Sequence, residues 1–379
     1  MARVPRATEL RVVVTGGDGF IGRNLRVHLH ELGYRDVVNV EQDTSTTELR
    51  SAVATVGFVF HLAGVNRPTE MSEFDTRNRG FTATLCDALR ETGRRVPLAY
   101  TSSTQALLDN PYGRSKRAGE VEVERFGADT GSPVFVFRLT NVFGKWCRPN
   151  YNSAVATFCH NIARGLPITV IDPSAPLRLV YVDDVVEAMA GLLRLADATS
   201  GAVEVEPVHS TTVGEVATLL REFASSRETL LTPRVGGGFT RALYATYVSY
   251  LTPEAFAYPL TRHADPRGVF AEMLKTPDCG QFSFFTAHPG VTRGGHYHHT
   301  KTEKFLVVKG KARFGFRHVV TDERHEIFVS GEESRVVETV PGWAHDVTNV
   351  GSDEMIVMLW ANEIFDPQNP DTIAAPVQG

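Results

Sequence analysis

Short apolar runs alternate with amphipathic stretches over the first part of the chain. Residues 10–15 are rich in β-branched side chains and read as a buried strand. They lead into Gly16, Gly17, Gly19 and Gly22, around which Ile21, Leu25, Leu29 and Leu32 recur at helical spacing. Further strand-like runs fall at residues 36–40, 58–62, 97–100 and 134–138, with helical stretches between them. This alternation predicts a parallel, doubly wound α/β sheet of the Rossmann type, with ligands at the carboxyl ends of its strands. The pattern breaks between residues 232 and 258, at Pro233, Gly236, Gly237, Gly238 and Pro253. Within that stretch the aromatic-rich residues 241–250 read as a docking helix. Thereafter the runs at 281–285, 304–308, 312–316, 326–329, 335–339 and 355–360 are short and punctuated by Gly or Asp. They predict an all-β antiparallel sandwich or jelly roll. Two domains are expected, residues 1–252 and 253–379.

A length of 379 residues suits that division. The net charge of −5 offers no basic footprint, so no nucleic-acid partner is expected. No apolar run approaches the roughly 20 residues of a membrane span. Residues 1–10 lack the apolar region of a secretory signal. The four cysteines are scattered without a C-x-x-C pair, which fits a reduced, cytoplasmic protein. Histidine changes the picture more. Eight of the thirteen lie between His263 and His345, within the predicted β domain.

The chemistry of the first domain starts at Gly16, Gly19 and Gly22. Strand, glycine turn and helix, in that order, is the context in which backbone N–H groups receive a dinucleotide pyrophosphate. The strand at 36–40 ends at Glu41, an acid placed to bond a ribose 2′-hydroxyl and to disfavour a 2′-phosphate, which favours NADH over NADPH. Ser102, Ser103 and Thr104 sit at another strand end. Tyr112 and Lys116 are four residues apart and share a helix face. A neighbouring ammonium lowers a phenol's pKa, so the pair suits proton transfer. After Gly144 comes a polar, aromatic loop with Lys145, Trp146 and Asn152, suited to a sugar and its phosphates. Arg178 is a candidate to neutralise a diphosphate.

These motifs resemble the extended short-chain dehydrogenase/reductase family, in its nucleotide-sugar branch. The matching pieces are residues 15–22, His61-Leu62-Ala63-Gly64, Thr101 to Ser103, Tyr112 with Lys116, residues 138–144 and residues 180–184. The resemblance implies that Tyr112 donates a proton, that Lys116 grips the nicotinamide ribose and tunes Tyr112, and that Ser103 bonds the substrate carbonyl. It places Gly16, Gly19, Phe20, Ile21, Gly22, Leu62, Ala63 and Gly64 against the cofactor, and Asn141 near the substrate. Only nine positions separate Ser103 from Tyr112, fewer than the family's usual spacing, so the choice among Ser102, Ser103 and Thr104 stays open.

In the second domain, His296 and His298 alternate as on a strand and point to one face. Glu303 and His345 complete a set of three imidazoles and a carboxylate, which suits Zn, Fe, Mn or Ni. The spacing H-x-H-x4-E-x6-G followed by P-G-x-x-H-x3-N resembles the cupin family. A metal-free cupin whose histidines act as acid and base is the alternative.

From end to end the chain resembles the CapF-type bifunctional enzymes of capsular polysaccharide synthesis. Residues 110–113, 143–147, 149–153, 296–301 and 303–308 carry that likeness. It implies a UDP-activated 4-keto-6-deoxy amino sugar as substrate, C3 epimerisation followed by C4 reduction, NADPH, Zn2+ and a homodimer. In the second domain His296 is the candidate catalytic residue, with Lys304 and Tyr297 as candidates to assist proton transfer. Two other readings are a ketoreductase whose cupin only binds sugar or holds a dimer, and a sugar-sensing regulator. The intact set of Ser103, Tyr112 and Lys116 argues against the regulator.

Overall fold

The computed structural model describes residues 7–194 and 199–378. Residues 1–6, part of the stretch read above as lacking a signal, lie outside the described residues. The chain forms two compact units, Met1–Leu220 with Ala242–Leu251, and Arg221–Arg241 with Thr252–Gly379.

The first unit opens with β1 (Val12–Thr15), α1 (Phe20–Glu31), β2 (Val37–Val40), α2 (Thr46–Val53), β3 (Phe58–His61) and α3 (Phe81–Glu91). It continues with β4 (Leu98–Ser103), α4 (Pro111–Thr130), β5 (Val134–Leu139), β6 (Asn141–Phe143) and α5 (Ala154–Ile162). Next come β7 (Pro176–Tyr181), α6 (Val182–Gly191), β8 (Gly201–Val203) and β9 (Val208–Thr212). The main sheet has the order β2-β1-β3-β4-β5-β8 and every pairing is parallel. Its inner strands β1, β3, β4 and β5 are buried on both faces, between which their side chains alternate. Val12, Val14, Phe58 and Phe60 pack with Leu25 and Leu29 of α1 and with Val185 and Met189 of α6. Val13 and Val59 pack on the other side with Leu49, Leu85, Leu89 and Phe126. Helices therefore cover both faces, as a doubly wound sheet requires.

The second unit is all-β apart from its leading segment. Its strands are β10 (His263–Asp265), β11 (Gly268–Thr276), β12 (Gly280–Ala287), β13 (Thr292–Tyr297), β14 (Glu303–Lys309) and β15 (Lys311–His318). They continue as β16 (Arg324–Ser330), β17 (Val336–Glu338), β18 (Trp343–Asn349), β19 (Met355–Ala361) and β20 (Ile373–Ala374). One sheet has the order β10-β11-β12-β19-β14-β17 and the other β16-β15-β18-β13-β20. All their pairings are antiparallel. Phe285, Phe305 and Val357 from the first sheet meet Phe314, Phe316 and Val347 from the second in one core.

Residues 221–241 group with the β unit, a piece that the sequence pattern assigns to the first domain. The reason is local pairing. Lys275 N–H donates to the Leu230 carbonyl at 2.7 Å, Thr232 N–H donates to the Lys275 carbonyl at 2.9 Å, and Arg234 is ion-paired with Asp278. Among the described residues no helix is long and apolar enough to cross a membrane.

Candidate functional site

The glycine turn after β1 is forced by close approach. Gly16 has φ +68°, and a Cβ there would lie 2.8 Å from the Ala63 backbone. A Cβ on Gly22 would lie 2.2 Å from the Gly16 carbonyl oxygen. Only glycine lets the first turn of α1 sit this tightly on the loop. The N-cap residue Gly19 provides no side-chain cap, so the N–H groups at this helix start stay free for an anion. The turn opens into a cavity of about 750 Å³ that is also lined by Leu62, Gly64, Thr101 to Gln105, Tyr112, Lys116, Asn141, Trp146 and Asn152.

Tyr112 reaches that cavity because α4 begins beside it. Asn110 caps the helix, its Oδ1 accepting from Gly113 N–H at 2.8 Å, and Pro111 occupies the first turn. The short spacing from Ser103 is taken up by a single 3-10 turn, Thr104–Leu107. Gly113 packs directly on it, since a Cβ there would lie 2.2 Å from the Gln105 carbonyl oxygen. Of the three hydroxyls at the end of β4, Ser103 is the one that acts on the Tyr112 phenol, favouring its charged form. Ser102 instead donates to buried Glu120 at 2.6 Å.

Lys116 is buried and its Nζ donates to the Thr101 carbonyl at 3.0 Å. Its ammonium lies 5.3 Å from the centre of the Tyr100 ring. Glu120, one helical turn on, is held by Arg138 (2.7 Å) and Arg117 (2.6 Å). Burial works against the Glu120 carboxylate, but hydrogen bonds from Arg138, Ser102 and Arg117 outweigh it and keep it below the usual range. Burial also raises the Tyr112 phenol above its ordinary value, with Ser103 opposing. The expectation that the ammonium lowers the phenol is therefore not met. Desolvation dominates, and the ammonium is turned to Thr101.

Burial pushes Lys116 down from 10.5 to about 8, with Glu120 pulling the other way. Unfolded, the lysine keeps its proton to about 10.4. Between these values the unfolded chain binds more protons, so stability rises with pH. Relative to Lys116→Met, the wild type is expected to gain about 3 kcal/mol across that window, measured as urea midpoints. A flat difference between the two proteins would mean the ammonium is solvated.

In the β unit, His296 on β13 is directly opposite His345 on β18, after a register shift between Gly294 and His296. His298 follows the end of β13, and Glu303 opens β14 in the facing sheet. The ligand atoms of His296, His298, Glu303 and His345 all lie within 4.8 Å of one another. His298 Nδ1 donates to the Asp371 carbonyl. Since a carbonyl only accepts, that proton sits on Nδ1, and Nε2 is the atom turned toward Glu303 Oε2, 3.3 Å away. His345 Nε2 is also 3.3 Å from that oxygen and is buried without a hydrogen-bond partner. Imidazole nitrogens converging on a buried carboxylate suit a divalent cation, the donor set being three imidazoles and an oxygen. Burial, then the neighbouring His345 and His298, push His296 down to about 4. It is neutral near pH 7, as a ligand must be.

A polysaccharide biosynthesis C-terminal domain model matches residues 263–373, and a NAD dependent epimerase/dehydratase family model matches residues 12–205. A Pseudomonas aeruginosa protein named UDP-2-acetamido-2,6-beta-L-arabino-hexul-4-ose reductase is 57% identical over 370 residues, or 97% of this chain and 99% of its own. The crystal structure of the capsular polysaccharide assembling protein CapF from Staphylococcus aureus matches with a TM-score of 0.89. It is 41% identical and covers 97% of this chain and 100% of its own. The chain belongs to the CapF-type family. UDP-glucuronic acid 4-epimerase from Bacillus cereus shares the fold, with a TM-score of 0.55 and 15% identity over 64% of this chain. Family membership makes the first unit of this CapF-type chain an NAD(P)-dependent reductase unit.

Some expected residues fall elsewhere. Lys304 lies between buried Glu303 and Phe305 on β14, so it faces away from the cluster, and its Nζ donates to Glu338 at 2.8 Å. Tyr297 likewise alternates away from His296 and packs 5.5 Å from the His299 ring. Arg178 alternates with Leu177 and Leu179, which line the cavity, and is exposed. Lys145 is ion-paired with Asp183. Glu41 accepts from Asp18 N–H at 2.9 Å. Ala63 is buried, its N–H donating to Thr15 Oγ1.

The cavity contains Arg148 instead, stacked 5.2 Å over the Tyr151 ring. Its loop is held by the Tyr250 hydroxyl, which donates to the Cys147 carbonyl at 2.5 Å. Trp146 and Asn150 there adopt left-handed φ of 67° and 55°, a strain typical of functional loops. Lys301 is the other residue not foreseen. It is buried, with Nζ 3.2 Å from Glu303 Oε1, and the two-residue spacing from Glu303 was the signal for it.

Proposed function

We propose that this chain converts a UDP-2-acetamido-2,6-dideoxy-4-keto-hexose in two steps. The C-terminal unit, read as a cupin, inverts C3. The N-terminal unit then reduces C4, giving UDP-N-acetyl-6-deoxy-L-talosamine, a precursor of UDP-N-acetyl-L-fucosamine for capsule or related polysaccharides. The observation that carries this reading is the pairing, on one chain, of a hydroxyl–phenol–ammonium cavity with a buried three-imidazole, one-carboxylate cluster.

The order follows from chemistry. The C3 proton is acidic only while C4 is a ketone, and reduction removes that activation. NAD(P)H, when bound, supplies the hydride that adds to C4. Tyr112 then gives its phenolic proton to the C4 oxygen, while Ser103 bonds that oxygen and Lys116 binds the ribose. The raised phenol keeps its proton at neutral pH, as a proton donor must. In the second unit His296, His298, Glu303 and His345 would hold a divalent cation, Zn2+ by family resemblance. That cation supplies positive charge beside a developing enolate oxygen. His296 is the least buried of the four and so the nearest to entering substrate.

The deciding experiment incubates the 4-keto sugar in D2O with and without reduced nicotinamide. Deuterium is expected at C3 without cofactor, and a 4-hydroxy product only with it. Absence of C3 exchange would leave a ketoreductase alone. With Glu41 at the end of β2, kcat/KM is expected to be higher with NADH than with NADPH, and Glu41→Arg to reverse the order. A wild-type preference for NADPH would remove that role from Glu41.

A further inference from the structure

The segment after β19 returns to lie along the strand that carries His296. In β20, Ala374 is opposite His296 and Ile373 is opposite Tyr297. Ala375 N–H donates to the Gly295 carbonyl at 2.9 Å, Arg317 Nε donates to the Pro376 carbonyl at 2.9 Å, and Val377 is buried. Just before β20, Asp371 closes on the turn between β13 and β14. Its carboxylate accepts from the N–H groups of His299 (2.9 Å), Thr300 (2.7 Å) and Lys301 (2.8 Å), and from Thr300 Oγ1 (2.9 Å). Its own carbonyl accepts from His298 Nδ1.

We propose that Asp371 is a positioning residue for the cation site, setting the orientation of two of its four ligands from a distant part of the chain. This rests on the reading of the His296 cluster as a metal site. One ligand is set through the Asp371 carbonyl, which the carboxylate's bonds to the His299, Thr300 and Lys301 N–H groups hold against His298 Nδ1, keeping the proton there and presenting Nε2 to the cluster. The other is set through Lys301, whose backbone N–H is held by the Asp371 carboxylate. The Lys301 ammonium occupies Glu303 Oε1 and leaves Oε2 facing the imidazoles. Groups that hold a ligand's second nitrogen or second oxygen fix its tautomer and direction, and their loss weakens metal binding about 10–100-fold. Asp371 combines both functions.

The test uses full-length wild type, Asp371→Ala and Asp371→Asn, each stripped of metal and titrated with Co2+ against a chelator of known affinity. The visible absorption of the bound Co2+ reports ligand geometry. Asp371→Ala is expected to bind about 10–100-fold more weakly, with shifted bands. Asp371→Asn keeps one acceptor oxygen and is expected to show a smaller loss in the same direction; it decides the matter if the alanine variant does not fold. Wild-type affinity and bands in the folded variants would overturn the role of Asp371 while leaving the metal reading intact, even if their Tm fell. A wild type that takes up no Co2+ would overturn both.

Discussion

Tyr112→Phe is expected to lower kcat for ketone reduction by about 10²–10⁴ while leaving C3 exchange at the wild-type rate. The substitution removes one oxygen and keeps the ring, which packs 5.8 Å from the Phe74 ring, so the start of α4 keeps its apolar contact. Asn110 and Pro111 hold that turn independently of the phenol. What is lost is the proposed proton donor and its interaction with Ser103. Substrate binding relies on other groups lining the cavity, so KM is expected to move little. The measurements are the loss of reduced-nicotinamide absorbance and deuterium at C3 read by mass spectrometry. Full reductase activity in the phenylalanine variant would remove Tyr112 as the acid. A parallel loss of C3 exchange would show that the two reactions share one site.

The reductase unit was readable because its functional residues sit where local rules are strict. A β-branched strand, a glycine turn and a helix leave little freedom, and Gly16 and Gly22 meet their neighbours at distances only glycine tolerates. Asn110, Pro111 and Gly131 mark both ends of α4 and so place Tyr112 and Lys116. The pKa of Tyr112 was not readable, because it depends on how far the phenol is buried and on where the ammonium turns. In the β unit β12, β14, β15, β16, β17 and β19 were visible as short runs, whereas β10, β11, β18 and β20 were not, and β13 showed only in the alternation of His296 with His298. β13 and β18 carry histidine and other polar residues in place of alternating apolar ones, since they build the site. Strand parity turns Lys304, beside Glu303 on β14, to the other face, whereas Lys301 lies in the turn before β14 and reaches Glu303 from there. Asp371 had no local signal at all. Its partners are 70 to 73 positions away, and only the return of the chain along β13 brings them together.

His345→Ala is expected to abolish C3 exchange while sparing the reduction of a substrate already inverted at C3. His345 connects the two strands of the site, opposite His296 across the β13–β18 pairing and 3.3 Å from Glu303 Oε2. Its removal leaves three donors and a buried space for water, so the cation loses both a ligand and its dry surroundings. The affinity loss should exceed the roughly 10–100-fold that follows removal of a group merely supporting a ligand. The Glu303 carboxylate keeps its Lys301 and His298 partners, which limits the damage to folding. Exchange in D2O, Co2+ affinity and Tm are measured on the same preparation. Chelator treatment of the wild type supplies the independent arm, where exchange should stop and return on adding Zn2+. Exchange that persists in both the chelated wild type and His345→Ala would mean that the proton is moved without a cation. An exchange-dead, metal-replete His345→Ala would instead make this imidazole the base. Loss of exchange together with loss of metal, with reduction intact, is the result that the two-site reading requires.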